Sequence, residues 1–243
     1  MTDRTRTPIS VLTRKLSRFV ELNSEDVRRL EELPLRVERV RRFVDLVREG
    51  ETPDSCCLLV KGYACRYKQT AGGARQIVSF HLTGDLLDIQ HLLLNRADHS
   101  VETITDATVA WIPKPELLQV AWDRPAIGKA LWQDCLVDAS IFREWVLNVG
   151  QRDARSRVAH MICEFVARSE AAGLGVADGF DFPMTQAQIA EATGLTPVHV
   201  NRTLRALDAD GALVRDRRYF RVVDWKRLCA IADFSRAYLH AAA

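Results

Sequence analysis

Apolar residues recur along the chain at three different spacings, and each spacing predicts a different kind of element. Ile9, Leu12, Leu16 and Phe19 fall three and four residues apart, the stripe of an amphipathic helix. Asn23-Ser24-Glu25-Asp26 then supplies a cap and an acidic first turn for a second helix, which turns Val27, Leu30 and Leu33 inward and stops at Pro34. From about Val37 to Pro113 the pattern shortens to β-runs punctuated by glycine. Cys56 to Val60, Tyr63 to Gln69, Gln76 to Leu82, Val101 to Thr105 and Val109 to Pro113 are the clearest strands, with turns expected at Gly50, Lys61-Gly62, Ala71-Gly72-Gly73 and Gly84-Asp85. Many short strands at such close spacing indicate a sandwich or jelly roll.

From Pro115 onward the period is helical. Asp123-Arg124-Pro125 reads as a break and a fresh start, with Asp123 as the expected cap of a long helix that runs to about Val149 and stops at Gly150. Two apolar lines follow this helix. Leu131, Cys135, Asp138, Phe142, Trp145 and Val149 repeat at four-three-four-three-four, and Trp132, Leu136, Ala139 and Val146 form the other. One line can pack on the helix's own domain. A second face needs another partner, and an identical helix is the economical choice. The first line is taken as the dimer seam, with Asp138 weakening the contact while fixing its register. A helix buried wholly within one chain is the competing explanation, because the repeat is shorter than the three to four heptads that argue for a coiled coil.

The polar joint Gln151 to Arg157 marks a boundary, so the chain is expected to divide into residues 1–122, 123–151 and 152–243. Past it lie a helix with Val158, Ile162 and Phe165 inside and a turn rich in glycine (Gly173, Gly175, Gly179). The segment Met184 to Leu213 carries the most specific pattern. Thr185 caps a short helix with Ile189 and Ala190 inside, and Gly194 closes it. Only Leu195 and Thr196 intervene before a second helix at about 197–210, capped by Thr196 and opened by Pro197. Val200, Leu204 and Leu207 form its buried stripe, which leaves Val198, His199, Asn201, Arg202 and Arg205 outward or flanking. This is the form of a helix-turn-helix. A basic hairpin, Leu213 to Val223, follows.

Charge changes the picture only locally. The chain's formal net charge is +2, which predicts no polyanion partner, yet Arg202 to Arg227 holds eight Lys/Arg against four Asp. Phosphate contacts from Thr196, His199 and wing arginines such as Arg217 would supply salt-dependent affinity. Arg202 can meet guanine O6 and N7 with two parallel bonds, and Val198 can meet a thymine methyl. The alternative is a cytoplasmic sensor or scaffold that uses its helix-turn-helix for protein contacts, with the arginines as a solvated face.

Other classes fare worse. Six cysteines without CxxC or Cys/His zinc spacing read as reduced thiols, which suits the cytoplasm. No apolar run approaches the ~18 residues of a membrane span. Met1 to Val20 has the composition of a transit peptide, though its stripe favours a packed helix. A jelly-roll enzyme would need clustered histidines and a carboxylate, whereas His81, His91 and His99 are spread over separate elements. The chain is read as no enzyme.

Nearly the whole chain resembles the Crp/Fnr superfamily. The pattern is met by Thr185-Gln186, Ile189-Ala190, Gly194-Leu195, Val200-Asn201-Arg202-Thr203-Leu204, Leu207 and Gly211, and upstream by Arg48-Glu49-Gly50, Val60-Lys61-Gly62 and Gly84-Asp85. The resemblance implies an α+β chain: an N-terminal double-stranded β-helix (jelly-roll) sensor domain of the cyclic-nucleotide-binding type, a long dimerisation helix and a C-terminal winged helix-turn-helix. It implies a homodimer on a palindromic double-stranded operator, with half-sites about one helical turn (roughly 34 Å) apart and RNA polymerase as a further partner. It makes Arg202 the guanine reader, Thr196 and His199 phosphate contacts, and Thr185 and Gln186 further DNA-facing positions. Pro197 and Val198 replace an arginine and a glutamate that many members use to read bases, so the half-site should differ from theirs.

The sensor departs further from the pattern. Where cyclic-nucleotide binders carry Gly-Glu-Leu and then Arg-Ser or Arg-Thr, this chain reads Asp88-Ile89-Gln90 and His99-Ser100. Ile89 accepts no ribose bond, and His99 is a poorer phosphate partner than a bidentate arginine. Cyclic AMP is disfavoured, and no cofactor is predicted. An iron–sulfur cluster lacks grouped cysteines before Cys56. Haem on Cys65, His81 or His91, or another small-molecule effector, remains open.

Overall fold

The computed structural model describes residues 7–176 and 178–240. The described chain forms two compact units, residues 7–68 with 80–139 and residues 69–79 with 140–240.

The first unit opens with α1 (Ser10–Leu16), whose Leu12 and Leu16 are fully buried together with Ile9 just ahead of it. Of the stretch weighed as a transit peptide, residues 1–6 lie outside the described residues. Helix α2 (Ser24–Glu31) starts on a reciprocal cap in which Asn23 Oδ1 accepts the Asp26 amide at 2.9 Å and Asp26 Oδ2 accepts the Asn23 amide at 3.0 Å. Asp26 is buried and takes a second load, the Arg124 Nε at 2.7 Å.

Seven strands follow: β1 (Arg36–Val40), β2 (Asp45–Val47), β3 (Ser55–Lys61), β4 (Ala64–Gln69), β5 (Arg75–His81), β6 (Ser100–Thr103) and β7 (Ala107–Pro113). They form a three-stranded sheet in the order β1-β7-β3 and a four-stranded sheet in the order β2-β6-β4-β5. The sequence pattern did not mark β1 and β2. The first is exposed over nearly its whole length and the second has three residues, so neither shows an alternating stripe. Strand β3 explains its own unbroken apolar run. Cys56 and Leu58 pack into a core shared with α1 and α2, whereas Cys57 and Leu59 face a second core with Val101 and Val109. Gly62, at φ +99°, makes the β3–β4 turn, where a Cβ would stand 2.7 Å from the Asp106 carbonyl oxygen.

Helix α3 (Lys114–Asp123) ends on Asp123, so that residue closes one helix and is not the cap of the next. Arg124, extended at φ −123°, is the joint. Helix α4 (Pro125–Gln151) then passes through Gly150 without stopping there. Glycine ends a helix by taking positive φ, and Gly150 does not; its cost within a helix is about 1 kcal/mol. Lys15 of α1 ties into α4, its Nζ lying 2.7 Å from Asp134 and 2.8 Å from Asp85.

The two apolar lines of α4 divide in a way that periodicity did not foretell. Leu131 belongs to the core of the first unit, and Trp145 is buried in the second, where its Nε1 donates to Glu164 at 3.0 Å. Of the expected seam, Cys135, Asp138 and Val149 are partly buried and only Phe142 is exposed. The line that reaches solvent is Trp132, Leu136, Ala139 and Val146. Amphipathic spacing marks two faces equally; the position of the neighbouring cores chooses between them.

In the second unit α5 (Ala154–Ala171) is capped by Asp153, whose Oδ1 accepts the Ser156 amide at 2.8 Å. It is followed by β8 (Phe180–Asp181), α6 (Gln186–Thr193), α7 (Pro197–Ala209), β9 (Leu213–Asp216), β10 (Tyr219–Val222) and α8 (Trp225–Ala232). The strands pair in the order β8-β10-β9. Phe165, Phe180, Phe182 and Phe220 fill the core with ring centroids 5.0–6.4 Å apart. Residues 69–79 group with this unit, where Arg75 pairs with Glu191 at 3.3 Å and Gln76 Nε2 donates to the Ala192 carbonyl at 3.2 Å.

Candidate nucleic-acid interface

Helices α6 and α7 are held at a fixed corner by three local devices. Thr185 Oγ1 accepts the Gln188 amide at 3.2 Å while Gln188 Oε1 accepts the Thr185 amide at 2.9 Å, which closes the N-terminus of α6. Gly194 takes the left-handed conformation at φ +67°, so the chain reverses and the Leu195 amide reaches the Ala190 carbonyl at 3.0 Å. Thr196 Oγ1 accepts the His199 amide at 3.2 Å and Pro197 takes the first helical position of α7.

With the corner fixed, the faces of α7 follow. Val200, Thr203, Leu204 and Leu207 are buried. Pro197, Val198, Arg202 and Arg205 are exposed, and His199 and Asn201 are half-buried. Val198 is 81% exposed, an aliphatic side chain that contributes nothing to the core and is presented outward from the first turn. Among the described residues, neither Arg202 nor Arg205 is held in an ion pair, so neither guanidinium must leave an internal carboxylate to meet an external anion. Thr185 is half-buried through its cap, and Gln186 beside it is exposed.

The wing separates arginines that sequence alone treats as equivalent. Arg217 sits at the tip of the β9–β10 turn with φ +52° and is exposed. Arg218 instead turns back, its Nη2 donating to the Pro183 carbonyl at 2.7 Å, and clamps the hairpin to the segment between β8 and α6. Arg215, in the same basic hairpin, points back toward α7. Its Nη2 donates to Asn201 Oδ1 of α7 at 3.4 Å. The signal for it was present, because strand alternation puts Arg215 on the same face as the buried Leu213.

The expected effector residues are each engaged with their own chain. Asp88 is fully buried and its Oδ1 accepts the Cys57 amide at 2.9 Å. Ile89 belongs to the apolar core. Gln90 Nε2 and His99 Nε2 are 3.1 Å apart, His99 Nδ1 lies 2.7 Å from Asp98 Oδ1, and Ser100 Oγ accepts the Glu49 amide at 3.0 Å. His91 stacks on His99 with ring centroids 5.8 Å apart. Burial, and then the nearby Arg66 guanidinium, hold His99 below the ordinary imidazole range, and the same two causes push His81 down to about 4. Among the described residues, no group of three or more His, Cys, Asp or Glu is placed to hold a metal ion, and no helix is long and apolar enough to cross a membrane.

A model of the Crp-like helix-turn-helix domain matches residues 156–231, and a model of the cyclic nucleotide-binding domain matches residues 38–122. The transcriptional activatory protein AadR of Rhodopseudomonas palustris is 31% identical over 190 residues, covering 77% of this chain and 77% of its own. The transcriptional activator protein FnrA of Stutzerimonas stutzeri is 24% identical over 213 residues, covering 88% of this chain and 87% of its own. Among solved structures, FixK2 from Bradyrhizobium japonicum superposes with a TM-score of 0.76 at 25% identity, covering 84% of this chain and all of the other.

Proposed function

The chain belongs to the Crp/Fnr family of DNA-binding transcription regulators, and from that membership we propose that it reads its operator with α7 lying in the major groove. The observation that carries this reading is the outer face of α7: Val198, Arg202 and Arg205 stand free of the core on a helix whose corner is rigidly capped. Arg202 reads guanine through its two parallel donors, and Val198 meets a thymine methyl. Thr196, His199, Arg205 and Arg217 contact phosphates, with Thr185 and Gln186 at the edge of the same surface.

Regulators of this family bind DNA as dimers. For this chain we place the dimer contact on the exposed line Trp132, Leu136, Ala139 and Val146, joined by Phe142. Two copies then present two α7 helices to a palindrome, roughly 34 Å apart. RNA polymerase is the proposed further partner and the cytoplasm the proposed compartment, since promoter DNA is there. No catalytic step belongs to this reading.

The roll is the proposed site of any effector, with cyclic AMP disfavoured. Ile89 sits in the apolar core, and His99 is occupied by Asp98 and Gln90. Cys65, His81 and His91 are all buried in packed interior, so haem on them would require that packing to open.

A mobility-shift titration tests the reading at physiological salt, using promoter duplex against random duplex. Wild type should prefer the promoter, and Arg202→Ala should lose on the order of tenfold of that preference. Equal binding of wild type to both duplexes would sink it.

A further inference from the structure

Arg215 is a cation in a place where strand geometry normally puts an apolar residue. In β9 the alternation is Leu213 in, Val214 out, Arg215 in, and its cross-strand neighbour Phe220 is buried. That inner face packs against α7. A purely structural arginine there would be expected to find a carboxylate. The group it meets is the neutral side chain of Asn201, at 3.4 Å.

A guanidinium carries donors only, so the end of the amide that it meets is the carbonyl. The Asn201 NH2 is therefore turned away from the wing, beside the outward-facing Arg202. Asparagine ordinarily reads adenine by accepting from N6 and donating to N7 at once, which needs both ends of the amide aimed at the base. Here the acceptor end is drawn back toward a positive charge.

We infer that Arg215 is a positioning residue: it orients the Asn201 amide so that donors alone face the groove, and this position selects bases whose edge presents acceptors without a donor, guanine or thymine, over adenine, whose N6 donor would be left without an acceptor. The inference rests on the DNA-binding reading above. It adds to α7 a specificity element that lies on the wing.

Selection of bound sequences from a random duplex library, with the full-length protein, tests it. Wild type should show one operator column poor in adenine, next to the column read by Arg202. Arg215→Met frees the amide, and adenine should rise roughly fivefold or more in that column while the Arg202 column is unchanged. Asn201→Asp supplies a second test that keeps size and shape. Its carboxylate stays paired with Arg215 and offers acceptors, so the same column should shift toward cytosine. Unchanged columns in Arg215→Met, or a shift in Asn201→Asp confined to some other column, overturn the inference while leaving DNA binding intact. Recovery of no sequence preference by wild type would instead remove the reading on which it rests.

Discussion

Arg66 of β4 reaches across the first unit to Asp138 of α4, donating through Nη1 to the carboxylate while its Nε donates to the Leu87 carbonyl at 2.9 Å. Asp138 was expected to stand in a seam between two copies and fix their register. Its side chain is instead paired within its own chain, which joins the interior of the roll to the long helix.

The two halves of this pair should not be equivalent. The Arg66 side chain is 9% exposed and that of Asp138 33%. Removing the carboxylate strands a buried guanidinium, whereas removing the arginine leaves a carboxylate that water can reach. Asp138→Ala should therefore cost about 3 kcal/mol and Arg66→Met about 1 kcal/mol. Urea unfolding midpoints of the two variants decide it, and the reverse order would contradict the argument.

Two buried histidines should set the acid limb of stability. Burial, followed by Arg66, lowers His81 to about 4; burial, followed by Arg152, lowers His160 to about 3. A depressed imidazole stabilises the fold above its unfolded value of about 6.5 and loses that contribution as pH falls through the folded value. Stability should decline from pH 6.5 toward pH 4 and below, by on the order of a few kcal/mol per histidine. Urea midpoints across this range should fall less steeply for the double variant His81→Asn, His160→Gln than for wild type. Equally steep curves would assign the acid limb to other groups.

At the wing tip, stability and DNA affinity should move in opposite directions. Arg217 holds φ +52°, a conformation that glycine adopts without strain. Arg217→Gly should leave thermal stability unchanged or raise it by up to about 1 kcal/mol. The same change removes a proposed phosphate contact, so the slope of log affinity against log salt should become shallower by about one. A variant that melts earlier while keeping the wild-type salt slope would reverse both expectations.

The long helix supplies a contrast between its two lines. Leu136→Lys, on the exposed line, should shift the protein toward monomer in sedimentation analysis while its monomer still melts cooperatively. Leu131→Ala, on the buried line, should cost about 2–5 kcal/mol of stability and leave the assembly state unchanged. Dissociation caused by the second variant and not by the first would return the interface to the line that periodicity suggested.

Much of this molecule is legible in its sequence. The signals that carried it are local: a capping oxygen at Asn23, Thr185 or Thr196, a glycine that tolerates positive φ at Gly194, a 3.6-residue stripe through Val200, Leu204 and Leu207. Each acts within a few residues of chain, and such local signals suffice for the helix-turn-helix and the main strands of the roll. Exposed β1, three-residue β2, two-residue β8 and helix α8 escaped because their stability comes from neighbours distant in sequence.

Tertiary structure alone decided which face of α4 is free, which wing arginine is a clamp, and where Arg66 and Arg215 spend their donors. A stripe or a run of arginines states how side chains are spaced along an element; only the elements packed around it determine which of them is left facing water.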